Sequence, residues 1–130
     1  MPKQVARLSP GEWEIMQVIW KRKPAMSVRQ VLEIACPRSE KAYTTIQTVM
    51  NNLEQKGYLK RDKIGLVNFY KSTRSRKDTV KKETQTFVKK VFDGSFQALA
   101  NYLVESDSLN PENIAQLKKM IRDKEKELGS

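Results

Sequence analysis

The stretch Ala42-Tyr43-Thr44-Thr45-Ile46-Gln47-Thr48-Val49-Met50-Asn51-Asn52-Leu53-Glu54-Gln55-Lys56-Gly57 constrains this chain more than any other. Ile46, Val49, Met50 and Leu53 recur at i, i+3, i+4 and i+7, so they share one helical face. Gly57 suits the left-handed residue that ends a helix, and Lys56 suits the last turn. The opposite face carries Thr44, Thr48, Asn51 and Gln55, with Gln47 at its edge. A solvated helix face is normally rich in Glu and Lys, which favour helix and pair at i,i+4. Here the groups are mostly neutral amides and hydroxyls, which both donate and accept hydrogen bonds. Such groups read base edges in a major groove. An ordinary polar surface is the plainer reading, and the neighbouring segments must decide between the two.

Upstream, Leu8-Ser9-Pro10-Gly11-Glu12 is a helix start. Ser9 caps, Pro10 takes the first helical position, and Glu12 completes a Ser-x-x-Glu capping box. The helix runs to about Lys21, with Trp13, Met16, Ile19 and Trp20 on its apolar face and Ile15 and Val18 at the margins. Pro24 ends it, and Pro24-Ala25-Met26 has the character of a short strand. Ser27-Val28-Arg29-Gln30 is a second capping box, opening a helix with Val28, Val31, Leu32 and Ala35 inward. Pro37 closes that helix, and Cys36 serves as a small apolar filler near its end. Arg38-Ser39-Glu40-Lys41 is the turn into the helix of Ala42–Gly57. Helix, polar turn and helix make a helix-turn-helix.

After Gly57 the period changes. Tyr58–Asp62 and Leu66–Lys71 have strand character, and Lys63-Ile64-Gly65 supplies a turn. A hairpin directly after a recognition helix is a wing. Lys60, Arg61, Lys63 and Lys71 make it basic, while alternation points Leu59, Val67 and Phe69 inward. Charge supports this layout. Residues 1–74 hold 14 Lys and Arg against 6 Asp and Glu, whereas residues 75–130 hold 11 against 9. A basic half favours a polyanion through counterion release.

Other function classes find little support. The chain has no histidine, which removes Ser-His-Asp and Cys-His nucleophilic sites and the usual zinc clusters, so no catalytic, metal or cofactor site is expected. Its five glycines are scattered and form no phosphate loop. One cysteine excludes an internal disulfide and fits a reducing cytoplasm. Met1–Val5 lacks the apolar segment of a signal peptide, and no apolar run is long enough to span a membrane.

Ser72–Arg76 is a polar boundary, so a domain over 1–74 and a second over 75–130 are expected. Three helices follow. The first, about Lys77 to Phe92, carries Val80, Phe87, Val88, Val91 and Phe92. The second, about Phe96 to Val104, carries Phe96, Leu99, Ala100 and Leu103 on one side. The third, capped by Asn110-Pro111-Glu112, carries Ile114, Leu117, Met120, Ile121 and Leu128. These segments are small for an independent core, and a second copy of the chain is the simplest cover for their stripes.

At this point the chain resembles the penicillinase and methicillin-resistance repressor family, which also includes copper-transport repressors. The resemblance rests on Leu8-Ser9-x-x-Glu12-Trp13-Glu14-Ile15-Met16-x-x-Ile19-Trp20 and Thr45-Ile46-Gln47-Thr48-Val49-Met50-x-x-Leu53-x-x-Lys56-Gly57. Gly65-x-x-x-x-Tyr70 and Phe92-x-Gly94-Ser95 agree with it. It implies a dimeric bacterial repressor whose N-terminal winged helix reads a pseudo-palindromic operator and whose C-terminal helices form the dimer. In several relatives a membrane sensor-protease system relieves repression by cutting an Asn-aromatic bond in those helices. Asn101-Tyr102 falls at that place. The cysteine-rich tail of copper-responsive members has no counterpart in these 130 residues, and Leu66 stands where many relatives carry a basic wing residue.

The expected architecture is mainly α with a β-hairpin wing: a winged helix-turn-helix followed by a three-helix dimerisation region. Thr44, Thr48 and Asn51 are the expected base readers, with Gln47 and Thr45 at the groove edges and Tyr43 on the backbone. Lys41, Lys60, Arg61 and Lys63 are the expected phosphate contacts. Phe87, Val91, Phe96, Leu99, Leu103, Ile114, Leu117 and Ile121 are the expected dimer residues. The alternative is a protein-interaction adaptor on the same scaffold. The polar outer face of the third helix argues against it, because interface cores prefer aromatic and apolar anchors.

Overall fold

Ser9 and Glu12 start the first helix as their spacing predicts. The Glu12 backbone N–H donates to Ser9 Oγ, and the Ser9 N–H donates to Glu12 Oε1 at 2.7 Å. The computed structural model describes residues 7–22, 24–38 and 41–129. Its elements run α1 (Pro10–Arg22), α2 (Val28–Ala35), α3 (Tyr43–Gln55), β1 (Leu59–Ile64), β2 (Val67–Ser72), α4 (Arg76–Phe92), α5 (Phe96–Glu105) and α6 (Pro111–Gly129). Ser39 and Glu40, expected in the turn before α3, lie outside the described residues.

Contacts divide the chain into two compact units, Met1–Glu83 and Thr84–Ser130. The first unit therefore runs past residue 74. Thr79 is buried, and Glu83 accepts from the Leu8 N–H at 3.3 Å and from Arg7 Nε, so the opening turns of α4 pack with the first unit.

Within that unit α1, α2, α3 and the hairpin enclose one core. It contains Ile15, Met16 and Ile19 of α1, Val28 and Val31 of α2, and Ile46, Met50 and Leu53 of α3. Tyr58, Leu59 and Tyr70 close it. Ile15 is buried rather than marginal, and the two tryptophans sit half-buried at the rim in a T-shaped pair 5.7 Å apart. A polar handle fits the rim position of Trp20, whose Nε1 donates to the Arg74 carbonyl at 2.8 Å.

The second capping box forms as expected, with Ser27 and Gln30 bonded reciprocally. Met26 pairs with Tyr70 as an isolated antiparallel bridge, which is the short strand expected before α2. Cys36 caps the end of α2, is buried, and donates its backbone N–H to the Leu32 carbonyl. Gly57 ends α3 with φ 86, as a left-handed stop requires. A part-buried ion pair then moors the end of α3 to the start of α1. Lys56 Nζ lies 2.6 Å from Glu12 Oε1 and donates also to the Arg7 carbonyl at 3.0 Å.

The hairpin corrects one expectation. Its turn is Gly65-Leu66, and Leu59 pairs with Ser72, Arg61 with Tyr70, and Ile64 with Val67. Directly paired residues share a face. Leu59, Arg61, Lys63, Asn68, Tyr70 and Ser72 therefore lie on one face, and Lys60, Asp62, Ile64, Val67, Phe69 and Lys71 on the other. The core takes Leu59 with Tyr70, not with Val67 and Phe69; Val67 is exposed and Phe69 only half-buried.

In the second unit, Ser95 caps α5 by accepting from the Ala98 N–H, and Asn110 caps α6 by accepting from the Asn113 N–H at 2.8 Å. Val88 is buried, and the Phe92 ring lies 5.9 Å from Phe87 and 6.3 Å from Tyr102. Among the described residues, no helix is long and apolar enough to cross a membrane.

Candidate nucleic-acid interface

The outward face of α3 is set by its inward one. With Ile46, Met50 and Leu53 held in the core, Thr44, Thr45, Gln47, Thr48 and Gln55 are left exposed. The Thr48 hydroxyl donates to the Thr44 carbonyl at 2.9 Å, which leaves its oxygen lone pairs for an outside donor. Ala42 occupies the N-cap without a side-chain bond, so the first-turn N–H groups of α3 receive no cap from it.

Asn51 is placed differently from the threonines. It is half-buried, and its Oδ1 accepts the Tyr70 hydroxyl proton at 2.8 Å. Tyr70 also exchanges two backbone hydrogen bonds with Met26, at 2.8 and 2.9 Å. One buried tyrosine thus joins the recognition helix, the wing and the entrance to α2. The sequence pattern Gly65-x-x-x-x-Tyr70 marked this residue, but its contact with Asn51 had no signal in spacing.

Cations flank the neutral face at both ends, and two of them are already paired. Lys41 Nζ lies 3.5 Å from Glu14, and Arg61 Nε lies 3.5 Å from Glu54. Both pairs are substantially exposed, so each holds its cation weakly and leaves it exchangeable for a phosphate. Lys60 and Lys63 are exposed on opposite faces of the wing. Tyr43 opens α3 at the surface, with the Arg29 guanidinium 5.8 Å from its ring centroid. Arg29 escaped sequence reasoning because it reads as a capping-box filler. It lines, with Tyr43, Gln47, Asn68 and Tyr70, an open cleft of about 480 Å³ between α2, α3 and the wing.

A helix presenting hydroxyls and amides, led in by a helix and turn and followed by a basic two-stranded wing, defines a winged helix-turn-helix protein. The chain belongs to the penicillinase repressor family, whose profile matches residues 8–123. The methicillin resistance regulatory protein MecI of Mammaliicoccus sciuri is 30% identical over 124 residues, spanning 95% of this chain and all of that one. The penicillinase repressor of Bacillus licheniformis is 26% identical over 121 residues, 93% of this chain and 94% of its own length. A solution structure of the DNA binding domain of the repressor BlaI aligns with a TM-score of 0.51 and 31% identity, covering 59% of this chain and 93% of that one.

Proposed function

We propose that this protein is a homodimeric, cytoplasmic transcriptional repressor that occupies a pseudo-palindromic operator and excludes polymerase. The observation that carries the reading is the uncharged outer face of α3 between exposed cations. Thr44 and Thr48 read base edges from the major groove, with Thr45 and Gln47 at its margins. Asn51 offers its Nδ2 donors there, since Tyr70 holds its Oδ1. Lys41, Lys60, Arg61 and Lys63 hold register on phosphates, and Tyr43 lies against the backbone. The MecI and penicillinase-repressor relatives and the BlaI DNA-binding domain support the same assignment.

The residues from 75 onward serve dimerisation in this reading. Phe87, Val91, Phe96, Leu103, Ile114, Leu117 and Ile121 are exposed in the single chain, and Leu99 is half-covered. A second copy covers those stripes and presents two recognition helices to two half-sites at once. Asn101 and Tyr102 lie exposed in α5, where cleavage by a membrane sensor-protease system would break a dimer helix and relieve repression.

Mobility shift on the region upstream of its own gene tests the proposal. We expect sequence-selective binding that weakens steeply with salt, and a two-fold footprint. Failure to bind that region at low salt refutes it. A stable dimer formed by residues 1–83 alone would refute the dimer assignment.

A further inference from the structure

Of the polar side chains on the outer face of α3, Asn51 is the one whose hydrogens the core directs. The exposed hydroxyls of Thr44 and Thr45 turn about their own C–O bonds, and the exposed amide of Gln47 presents either end. Even Thr48, which spends its proton on the Thr44 carbonyl, does so at the surface, where water competes. Asn51 has no such freedom. Its partner Tyr70 is fully buried and exchanges backbone hydrogen bonds with Met26 at 2.8 and 2.9 Å. A buried hydroxyl needs an acceptor for its proton, and this one donates to Asn51 Oδ1 at 2.8 Å. Turning the amide over would bring Nδ2 to the hydroxyl oxygen and leave that proton unspent.

A second tie lies beside the first. Arg61, directly opposite Tyr70 in the hairpin, lies 3.5 Å from Glu54, three residues beyond Asn51 on α3. The hairpin thus grips α3 at two neighbouring positions. Oδ1 faces the hairpin, and Nδ2 takes the other arm of the amide.

That orientation restricts which bases Asn51 reads. An unrestrained Asn pairs with adenine, its oxygen accepting from N6 and its nitrogen donating to N7. With Oδ1 committed to Tyr70, only N–H groups face the groove. Guanine offers them two neighbouring acceptors, O6 and N7, and thymine offers O4 alone. Adenine sets its N6 amino group beside N7, and cytosine presents a donor. Donors that face each other leave both unpaired.

We propose that Tyr70 makes Asn51 a donor-only reader that selects guanine at one base pair of each half-site. Tyr70 is then a positioning residue that sets specificity from inside the core. This rests on the reading that α3 enters the major groove.

Fluorescence anisotropy tests it, with the full chain and its Asn51→Ala, Tyr70→Phe and Asn51→Asp variants. The probes are a duplex that wild type enriches from a random pool and every single-pair substitution of it. Asn51→Ala should flatten the preference at one pair per half-site and spare the others, which locates the pair. There wild type should favour guanine over adenine about tenfold, and a guanine analogue with carbon in place of N7 should lose most of that advantage. Tyr70→Phe frees Oδ1 and should bring adenine level with guanine at that pair alone. Asn51→Asp still accepts the Tyr70 proton but offers no hydrogens of its own, so it should turn the preference to cytosine, whose N4 donates to carboxylates. This variant decides the matter if Tyr70→Phe is too unstable to assay. Adenine preferred by wild type at the located pair, or an unchanged order of bases in either of the last two variants, overturns the proposal and leaves the α3 reading standing. So does an Asn51→Ala chain that keeps every preference of wild type. Wild type that binds all the substituted duplexes alike overturns the α3 reading and the proposal with it.

Discussion

Lys56→Met should loosen the recognition helix in a way that pH makes visible. Lys56 Nζ reaches both Glu12 Oε1 and the Arg7 carbonyl, and the Glu12 side chain is only 5% exposed. A hydrogen bond to a charged group contributes about 1.5–3 kcal/mol, and stripping one member from a fully buried pair costs about 3–5 kcal/mol. The Lys56 side chain is 30% exposed, which lowers the expected loss to about 2–3 kcal/mol. Burial pushes the Glu12 carboxyl up, but the bonds from Lys56 and Ser9 outweigh it and leave its pKa below the ordinary 4.5. A carboxyl lowered on folding adds stability above its unfolded pKa and loses it as pH falls through the folded value. The deficit of Lys56→Met should therefore be complete near neutrality and fade in acid, once Glu12 is protonated in both proteins. Urea unfolding followed by tryptophan emission reads the first unit alone, since Trp13 and Trp20 both lie in α1. An equal deficit at about pH 7 and about pH 3 would refute the ionic argument.

Three further perturbations test the interface. Tyr70→Phe removes the hydroxyl that holds Asn51 and should cost about 1 kcal/mol in urea unfolding. It should also blunt discrimination between selected and random duplexes; unchanged discrimination would reduce the contact to packing. Glu54→Gln frees Arg61 and should tighten binding to random-sequence DNA about two- to fivefold, measured by fluorescence anisotropy, with a steeper salt slope. Weaker binding would show that Glu54 positions Arg61 for its phosphate. Gly57→Ala places its Cβ at an ordinary 3.7 Å from Arg74 Nη2 but must hold a φ of 86, so about 1 kcal/mol should be lost through backbone strain, read as a lowered urea midpoint.

Local rules carried far in this chain where one residue determines its own geometry. Both capping boxes, the glycine stop after α3 and the proline starts of α1 and α6 follow from short-range chemistry, and the structure places them as spacing predicts. The inward face of α3 followed from its period in the same way. Parity in the wing did not. Val67, Phe69 and Tyr70 are all apolar enough to be buried, and alternation cannot choose which parity faces inward. The structure buries Tyr70, which packs in the core, pairs with Met26 and bonds Asn51, contacts that lie far away in sequence. Long-range polar ties behave alike: Glu12 with Lys56, Glu54 with Arg61 and Glu14 with Lys41 join residues whose sequence neighbours give no hint of the partner. The first unit also outran the polar stretch before Arg76, because a helix can cross a composition boundary when its early turns find partners, as Thr79 and Glu83 do.

Cys36 gives the motif a clock of its own. It sits where α2 hands over to the turn before α3, with its side chain buried. A thiol so placed reacts with a soluble alkylating reagent only when that corner opens, so the reaction rate counts openings of the helix-turn-helix. A duplex seated on α3 would hold the corner shut and slow the count. The sequence's lone sulfhydryl thus lets motif dynamics be timed in the unmodified chain, with and without its ligand, by mass alone.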